Sequence, residues 1–122
     1  MANNRIVHFE IPANQPEALT SFYSEMFGWS FQKAPIPGFE YYLCNTGSDS
    51  PGINGAITQR ENAQLPWMNY VDVASVDEML AKAVELGARI ALPKTPLPGV
   101  GAVAAIMDPQ GNLCGLWEAA PK

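Results

Sequence analysis

Positive charge is scarce in this chain: seven Lys and Arg stand against twelve Asp and Glu, for a formal net charge of −5 and a pI near 4.6. A surface that tracks phosphates needs clustered Lys and Arg, so the balance argues against nucleic acid as a partner. A cationic or neutral small molecule meets no electrostatic obstacle. Cysteine is nearly absent. Cys44 and Cys114 have no CxxC spacing and sit at non-equivalent places in the two halves, which leaves two free thiols in strands rather than a zinc knuckle or a repeated disulfide. No long apolar run occurs either, since the longest, residues 99–107, is far below a membrane span. The N-terminus, MANNRIVHFEI, lacks the basic region and following apolar stretch of a secretion signal. The expectation is a cytoplasmic protein with no membrane partner.

What is present is ordinary globular material: 122 residues, 48% hydrophobic and 16% charged, with 11 prolines spread between periodic segments. That length suits one domain of mixed α and β elements joined by short connections. Arg5 to Ile11 alternates as a strand that buries Val7, Phe9 and Ile11 on one face and presents His8 and Glu10 on the other, with Pro12 expected to end it. Asn14-x-x-Glu17 resembles a capping box, and Leu19, Phe22, Tyr23, Met26 and Phe27 form one helical stripe that Gly28 terminates. A weakly alternating strand, 29–33, leads to an ordered loop, Pro35-Ile36-Pro37-Gly38; residues 40–45 and 53–59 then read as a hairpin across the turn chemistry of 46–51.

The second half replays this order. Trp67 to Val73 is a strand, Ser75-x-x-Glu78 a capping box, and Val76, Met79, Leu80 and Ala83 a helical face closed by Gly87. Ala88 to Leu92 reads as a strand, Lys94 to Gly99 as a loop, and 101–107 and 112–117 as a hairpin across Asp108-Pro109-Gln110-Gly111. Pro96-Leu97-Pro98-Gly99 echoes Pro35-Ile36-Pro37-Gly38 at an offset of 61, and Gly115-Leu116-Trp117 echoes Gly55-Ala56-Ile57 at 60. Identical element order plus local echoes implies a tandem βαβββ duplication within a single domain, 1–122. Modules 1–60 and 65–122 are joined by a linker at 60–66, polar and without periodicity.

The stretches VHFEIPANQPEALTSFYSEMFGW, YVDVASVDEMLAKAVELGA and KTPLPGVGAVAAIMDPQGNLCGLWE resemble the vicinal oxygen chelate superfamily of glyoxalase I, bleomycin-resistance proteins, fosfomycin-resistance transferases and extradiol dioxygenases. The resemblance implies an α+β fold in which two βαβββ modules curl a mixed sheet around a cup, with the helices outside, and usually a homodimer. It also implies a metal held by side chains of the first and fourth strand of each module. Carried over at an offset of 60, those positions are His8, Gly55, Met68 and Gly115. Glycine has no side chain and Met68 is a soft thioether, so no metal and no other cofactor is expected. Glu118 would be a replacement ligand only if a β-bulge turned it to the face of Gly115.

His8 and Glu10 are the candidate catalytic pair, a base or an oriented donor. Tyr41, Ile57, Met68, Tyr70, Leu113 and Trp117 are the candidate ligand-binding set; alternation counted from the aligned glycines places Ile57, Met68, Tyr70, Leu113 and Trp117 on the cup side, and plain core packing is the alternative for each aromatic. Three functions follow: a metal-independent glyoxalase-like protein binding a small organic molecule, a module that sequesters a cationic drug as bleomycin-resistance proteins do, and a metal-dependent lyase or dioxygenase with a rebuilt site. Whether the chain is an enzyme stays open at this point.

Overall fold

A computed structural model describes residues 2–60 and 66–121; the linker expected at 60–66 lies mostly outside them. The chain divides into two compact units, His8–Trp67, and Met68–Lys122 together with Met1–Val7. Each carries four strands and one helix.

In the His8–Trp67 unit, β1 (Ile6–Ala13, entering from the other unit) runs parallel to β4 (Asn54–Gln59). β4 pairs antiparallel with β3 (Tyr41–Asn45), and β3 with β2 (Ser30–Lys33). Helix α1 (Pro16–Phe27) lies between β1 and β2 in sequence. The alternation read from β1 holds from Phe9 onward: Phe9, Ile11 and Ala13 are buried with Tyr42, Cys44 and Ile57, and Leu19 and Tyr23 of α1 pack against them, whereas Val7, expected on the same buried face, is exposed near the start of the strand. Burying this one face supplies most of what holds a half-apolar strand in place.

Three details differ from expectation. Pro12 does not end β1. It stays in register with Thr58, and the carbonyls of Pro12 and Ala13 accept from the Arg60 guanidinium at 3.0 Å and the Arg60 backbone N–H at 2.8 Å, because proline lacks only the donor. Asn14 does not cap α1. The N-cap is Gln15, without a side-chain cap, and Pro16 at the first turn needs no partner for an N–H it does not have. The α1 stripe is only half used: Phe22, Met26 and Phe27 are more than half exposed, at 55%, 61% and 56%. Gly28 does end the helix, at φ 75°.

In the second unit, β5 (Met68–Asp72) pairs parallel with β8 (Leu113–Ala119), β8 antiparallel with β7 (Gly101–Met107), and β7 with β6 (Arg89–Leu97). The order of elements, strand, helix, three strands, repeats that of the first half. The backbone of Asn4 and Arg5 exchanges hydrogen bonds with Asp72 at 2.9 Å. Helix α2 (Val76–Glu85) is capped by Ser75, whose hydroxyl accepts from the Glu78 N–H at 3.1 Å, as its capping box predicts. Its Val76 and Leu80 pack with Val73, Ala104 and Leu116 in one buried cluster. The expected loop at Lys94–Gly99 is largely strand: β6 continues to Leu97, with register shifts after Ile90 and Leu92, and only 98–100 turn. Pro93 and Pro96 are tolerated because β6 has a sheet neighbour on one side only within this unit, and bulges absorb the missing donors. Among the described residues no helix is long and apolar enough to cross a membrane.

Candidate functional site

On β1 the residues that alternate away from α1 are His8 and Glu10. The pairing registers His8 with Asn54 and Glu10 with Ala56, and Ala56 in turn with Leu43. Two residues before Leu43, and therefore on the same face of β3, is Tyr41. Its hydroxyl donates to Glu10 Oε2 at 2.7 Å and lies 3.3 Å from His8 Nε2; His8 Nε2 and Glu10 Oε2 are 3.5 Å apart. A phenol has one proton. With that proton given to Glu10, the Tyr41 oxygen is an acceptor toward His8 in the tautomer that carries hydrogen on Nε2. In that tautomer the three groups form a directional chain, imidazole to phenol to carboxylate. His8 and Glu10 side chains retain 30% and 24% exposure, enough for a ligand to touch them. The ring of Phe39 stacks beside Tyr41 with centroids 6.4 Å apart. Tyr41 was legible only as one of several aromatics, and Phe39 not at all. Counting two residues back along β3 from Leu43 would have found the first, given the register.

Ile57 does not belong to this face. It is fully buried and registers with Ile11, in the cluster beneath α1, and Gly55 likewise sits opposite Phe9, whose ring and carbonyl occupy the space a Cβ would need. The expected placement of Gly55 and Ile57 beside His8 is corrected by one residue, because a strand turns every side chain over at each step. The β4 residue on the His8 and Glu10 face is Ala56.

In the other unit Met68, Tyr70, Leu113 and Trp117 do come together, with Leu92, Val103 and Ala105, on the sheet face away from α2. Met68 and Tyr70 are each only 6% exposed, so they form a packed apolar floor. Gly115 registers with Tyr70, and a Cβ there would fall 2.5 Å from Tyr70 Cδ2. The glycine makes room for the ring.

The sequence profile of the glyoxalase/bleomycin resistance protein/dioxygenase superfamily matches residues 5–116. The chain belongs to that superfamily. A Mycobacterium bovis protein named "Putative glyoxylase CFP32" is 25% identical over 114 residues, 90% of this chain and 44% of that protein, and its Mycobacterium tuberculosis counterpart matches equally. The chain therefore spans less than half the length of these curated relatives. Among solved structures it resembles Mycobacterium tuberculosis methylmalonyl-CoA epimerase, with a TM-score of 0.68 at 15% identity, covering 95% of this chain and 88% of that one. It also resembles a Streptomyces coelicolor methylmalonyl-CoA epimerase in complex with 2-nitronate-propionyl-CoA, with a TM-score of 0.66 at 17% identity, covering 97% and 99%. At these identities the likeness is one of fold.

Metal-dependent members of the superfamily imply a ligand set that this chain does not supply. With the register corrected, the β4 position is Ala56 and the β8 position Gly115, neither of which has a donor atom. Among the described residues no three His, Cys, Asp or Glu side chains converge as a metal site would need. Glu118 is engaged elsewhere: its Oε1 accepts the Val76 N–H at 2.7 Å and caps the first turn of α2. No bulge in β8 turns it back, since its pairing with β7 runs unbroken from Leu113 to Ala119. Neither thiol offers a nucleophile. Burial pushes Cys44 up to about 11, and burial, then the Asp108 carboxylate, raises Cys114.

Proposed function

We propose that this chain binds a small carbonyl-containing organic molecule against His8, Glu10 and Tyr41 and moves a proton there without a metal. The reading rests on one observation, the imidazole–phenol–carboxylate cluster on a partly exposed strand face. A carboxylate accepts more than one hydrogen bond, so Glu10 can hold Tyr41 and still take a proton from a carbon next to a carbonyl. The electron pair of that C–H bond moves into the adjacent carbon–carbon bond and the carbonyl oxygen becomes an enolate oxygen. Glu10, now protonated, no longer needs the Tyr41 hydrogen, which turns to that oxygen, with His8 supporting the phenol from behind. Returning the proton completes the cycle, and exchange with water labels the carbon. The fold-level likeness to epimerases supports the reading, since inverting a stereocentre requires one proton removed and one delivered.

The test is deuterium uptake. α-Keto acids, α-hydroxy ketones, short acyl thioesters and, as the sequestration alternative, cationic aromatics are titrated by calorimetry and incubated in D2O with chelator. Expected are saturable binding and label at the carbon next to a carbonyl, with binding kept and labelling lost in Glu10→Gln. Tyr41→Phe is expected to slow labelling roughly 10- to 100-fold. Binding of a cationic aromatic alone, without labelling of any carbonyl compound, would refute proton transfer and favour sequestration; labelling abolished by chelator would refute the metal-free reading.

A further inference from the structure

A polar row crosses the sheet beside His8. On β4 the residue registered with His8 is Asn54, Asn45 continues the row on β3, and Ser30 on β2 is registered with Asn45. The row lies on the side away from α1, because the residues one step along β1 and β3, Phe9 and Cys44, belong to the cluster that packs against that helix. Asn45 and Asn54 are both exposed. The turn between β3 and β4 fixes which end of each carboxamide is in use. The Thr46 N–H donates to Asn54 at 2.9 Å and the Gly47 N–H to Asn45 at 2.9 Å. A backbone N–H can only donate, so in both side chains the atom held is Oδ1. The Nδ2 groups remain, and no described residue accepts from either. What Asn54 offers the face is therefore a donor alone.

We propose that Asn54 is a specificity-determining residue whose Nδ2–H binds a carboxylate carried next to the ligand's carbonyl, which makes the substrate class the α-keto acids. The proposal rests on the reading of His8, Glu10 and Tyr41 as the carbonyl site. Glu10 Oε2 lies 3.5 Å from His8 Nε2, and Asn54 is the neighbour of His8 on the next strand, so the proton acceptor and the amide flank one imidazole. A short acid with its C–H bond at Glu10 carries its carboxylate, a few bonds away, toward Asn54. Carboxylate oxygens only accept and Nδ2 only donates, so no group in the pair is left unmatched, whereas a hydroxyl there would bring a proton that neither amide nitrogen can take. A plain ketone would strip water from Nδ2 and return nothing, which is how a site built to hydrogen-bond rejects an analogue lacking the group. A hydrogen bond to a charged acceptor is among the stronger kinds, and here it needs none of the chain's few cations.

The test compares α-ketobutyrate with butanone, in which a methyl group replaces the carboxylate, by calorimetry and by deuterium uptake in D2O with chelator. Wild type should bind α-ketobutyrate roughly 10- to 100-fold more tightly than butanone. Asn54→Ala should remove that preference by weakening α-ketobutyrate while leaving butanone within about 2-fold. Asn54→Asp is the decisive variant, because it keeps an oxygen for the Thr46 N–H and replaces only the donor. Its melting temperature should stay near that of wild type while α-ketobutyrate binding falls at least as far as in Asn54→Ala. A structural brace alone predicts that Asn54→Asp binds α-ketobutyrate as wild type does, and that result overturns the proposal. So does wild type that binds both compounds equally, or fails to bind α-ketobutyrate. The two readings fail separately. A carboxylate preference that Asn54→Asp abolishes, without labelling of either compound, removes proton transfer and keeps the role of Asn54. Labelling of both compounds alike, lost in Glu10→Gln and unmoved by Asn54→Asp, keeps proton transfer and removes that role.

Discussion

Adding a single methyl group at Gly115 tests how tightly the apolar floor of the second unit is built. In Gly115→Ala the new Cβ would lie 2.5 Å from Tyr70 Cδ2 and 2.7 Å from Cε2, distances that no packed structure sustains. Backbone conformation is not the obstacle, because Gly115 is not among the glycines with positive φ. The ring must move, and it is hemmed in by Met68, Ala105 and the half-buried Leu92, Val103, Leu113 and Trp117. Overpacking of this kind costs about 1–3 kcal/mol. Removing a glycine from a strand interior returns about 0.5–1 kcal/mol. The net loss is roughly 1–2 kcal/mol, or about 3–10 °C in melting temperature for a chain of this size. Chemical denaturation with an unchanged m value is the assay, repeated in a Tyr70→Ala background. Tyr70→Ala alone should cost about 3–5 kcal/mol through the cavity it leaves. In that background Gly115→Ala should become neutral or stabilising, a coupling of about 2 kcal/mol. A loss below about 0.5 kcal/mol in the wild type, or an equal loss in both backgrounds, would refute the close-approach argument.

Three further outcomes are expected. Glu118→Ala removes the acceptor of the Val76 N–H and should lower stability by about 1 kcal/mol, with Glu118→Gln costing about half as much because a neutral acceptor remains; urea midpoints decide this. Asp108 is held below its usual 3.8 by the backbone N–H groups of Asn112 and then Gln110. A lowered folded value adds stability that is complete above the unfolded value and is lost as the pH falls through the folded one, so Asp108→Asn should flatten the acid limb of a stability profile taken from about pH 5 to 2. Cys44, buried and pushed up to about 11, should resist iodoacetamide at pH 8 unless the chain unfolds, as mass spectrometry of the labelled peptides would show; rapid native-state labelling would contradict its placement under α1.

The elements that sequence made legible are those with a strong local signal. Ser75 and Glu78 mark the start of α2 because the capping hydrogen bond is local, and Gly28 marks the end of α1 because only a residue at ease with φ 75° can take that turn. Elements that depend on distant partners were harder. The second half of β6, from Lys94, reads as a loop from its prolines, and only its pairing with β7, through Thr95 with Val103 and Leu97 with Gly101, makes it a strand. Phe22 and Met26 read as core from periodicity, but the α1 surface that meets the sheet is narrower than the apolar stripe, and pattern cannot say which part of a wide stripe another element covers.

The site itself turned on a single residue of spacing. His8 and Glu10 were visible from the alternation of β1 alone, whereas their partners had to come from a non-local register. Aligning the halves on His8 and Met68 gives an offset of 60, and carrying it to the fourth strand selects Gly55. The registers pair Glu10 with Ala56 and Tyr70 with Gly115, so at the last strand the halves are offset by 59. The glycine echo in the sequence is genuine as letters and misleading as structure: Gly55 yields to Phe9 on the helix side of its sheet, and Gly115 yields to Tyr70 on the side away from the helix. Both glycines answer one local demand, an aromatic ring lying flat over the neighbouring strand. That demand could recur at either face, so it carried no information about which face holds the site.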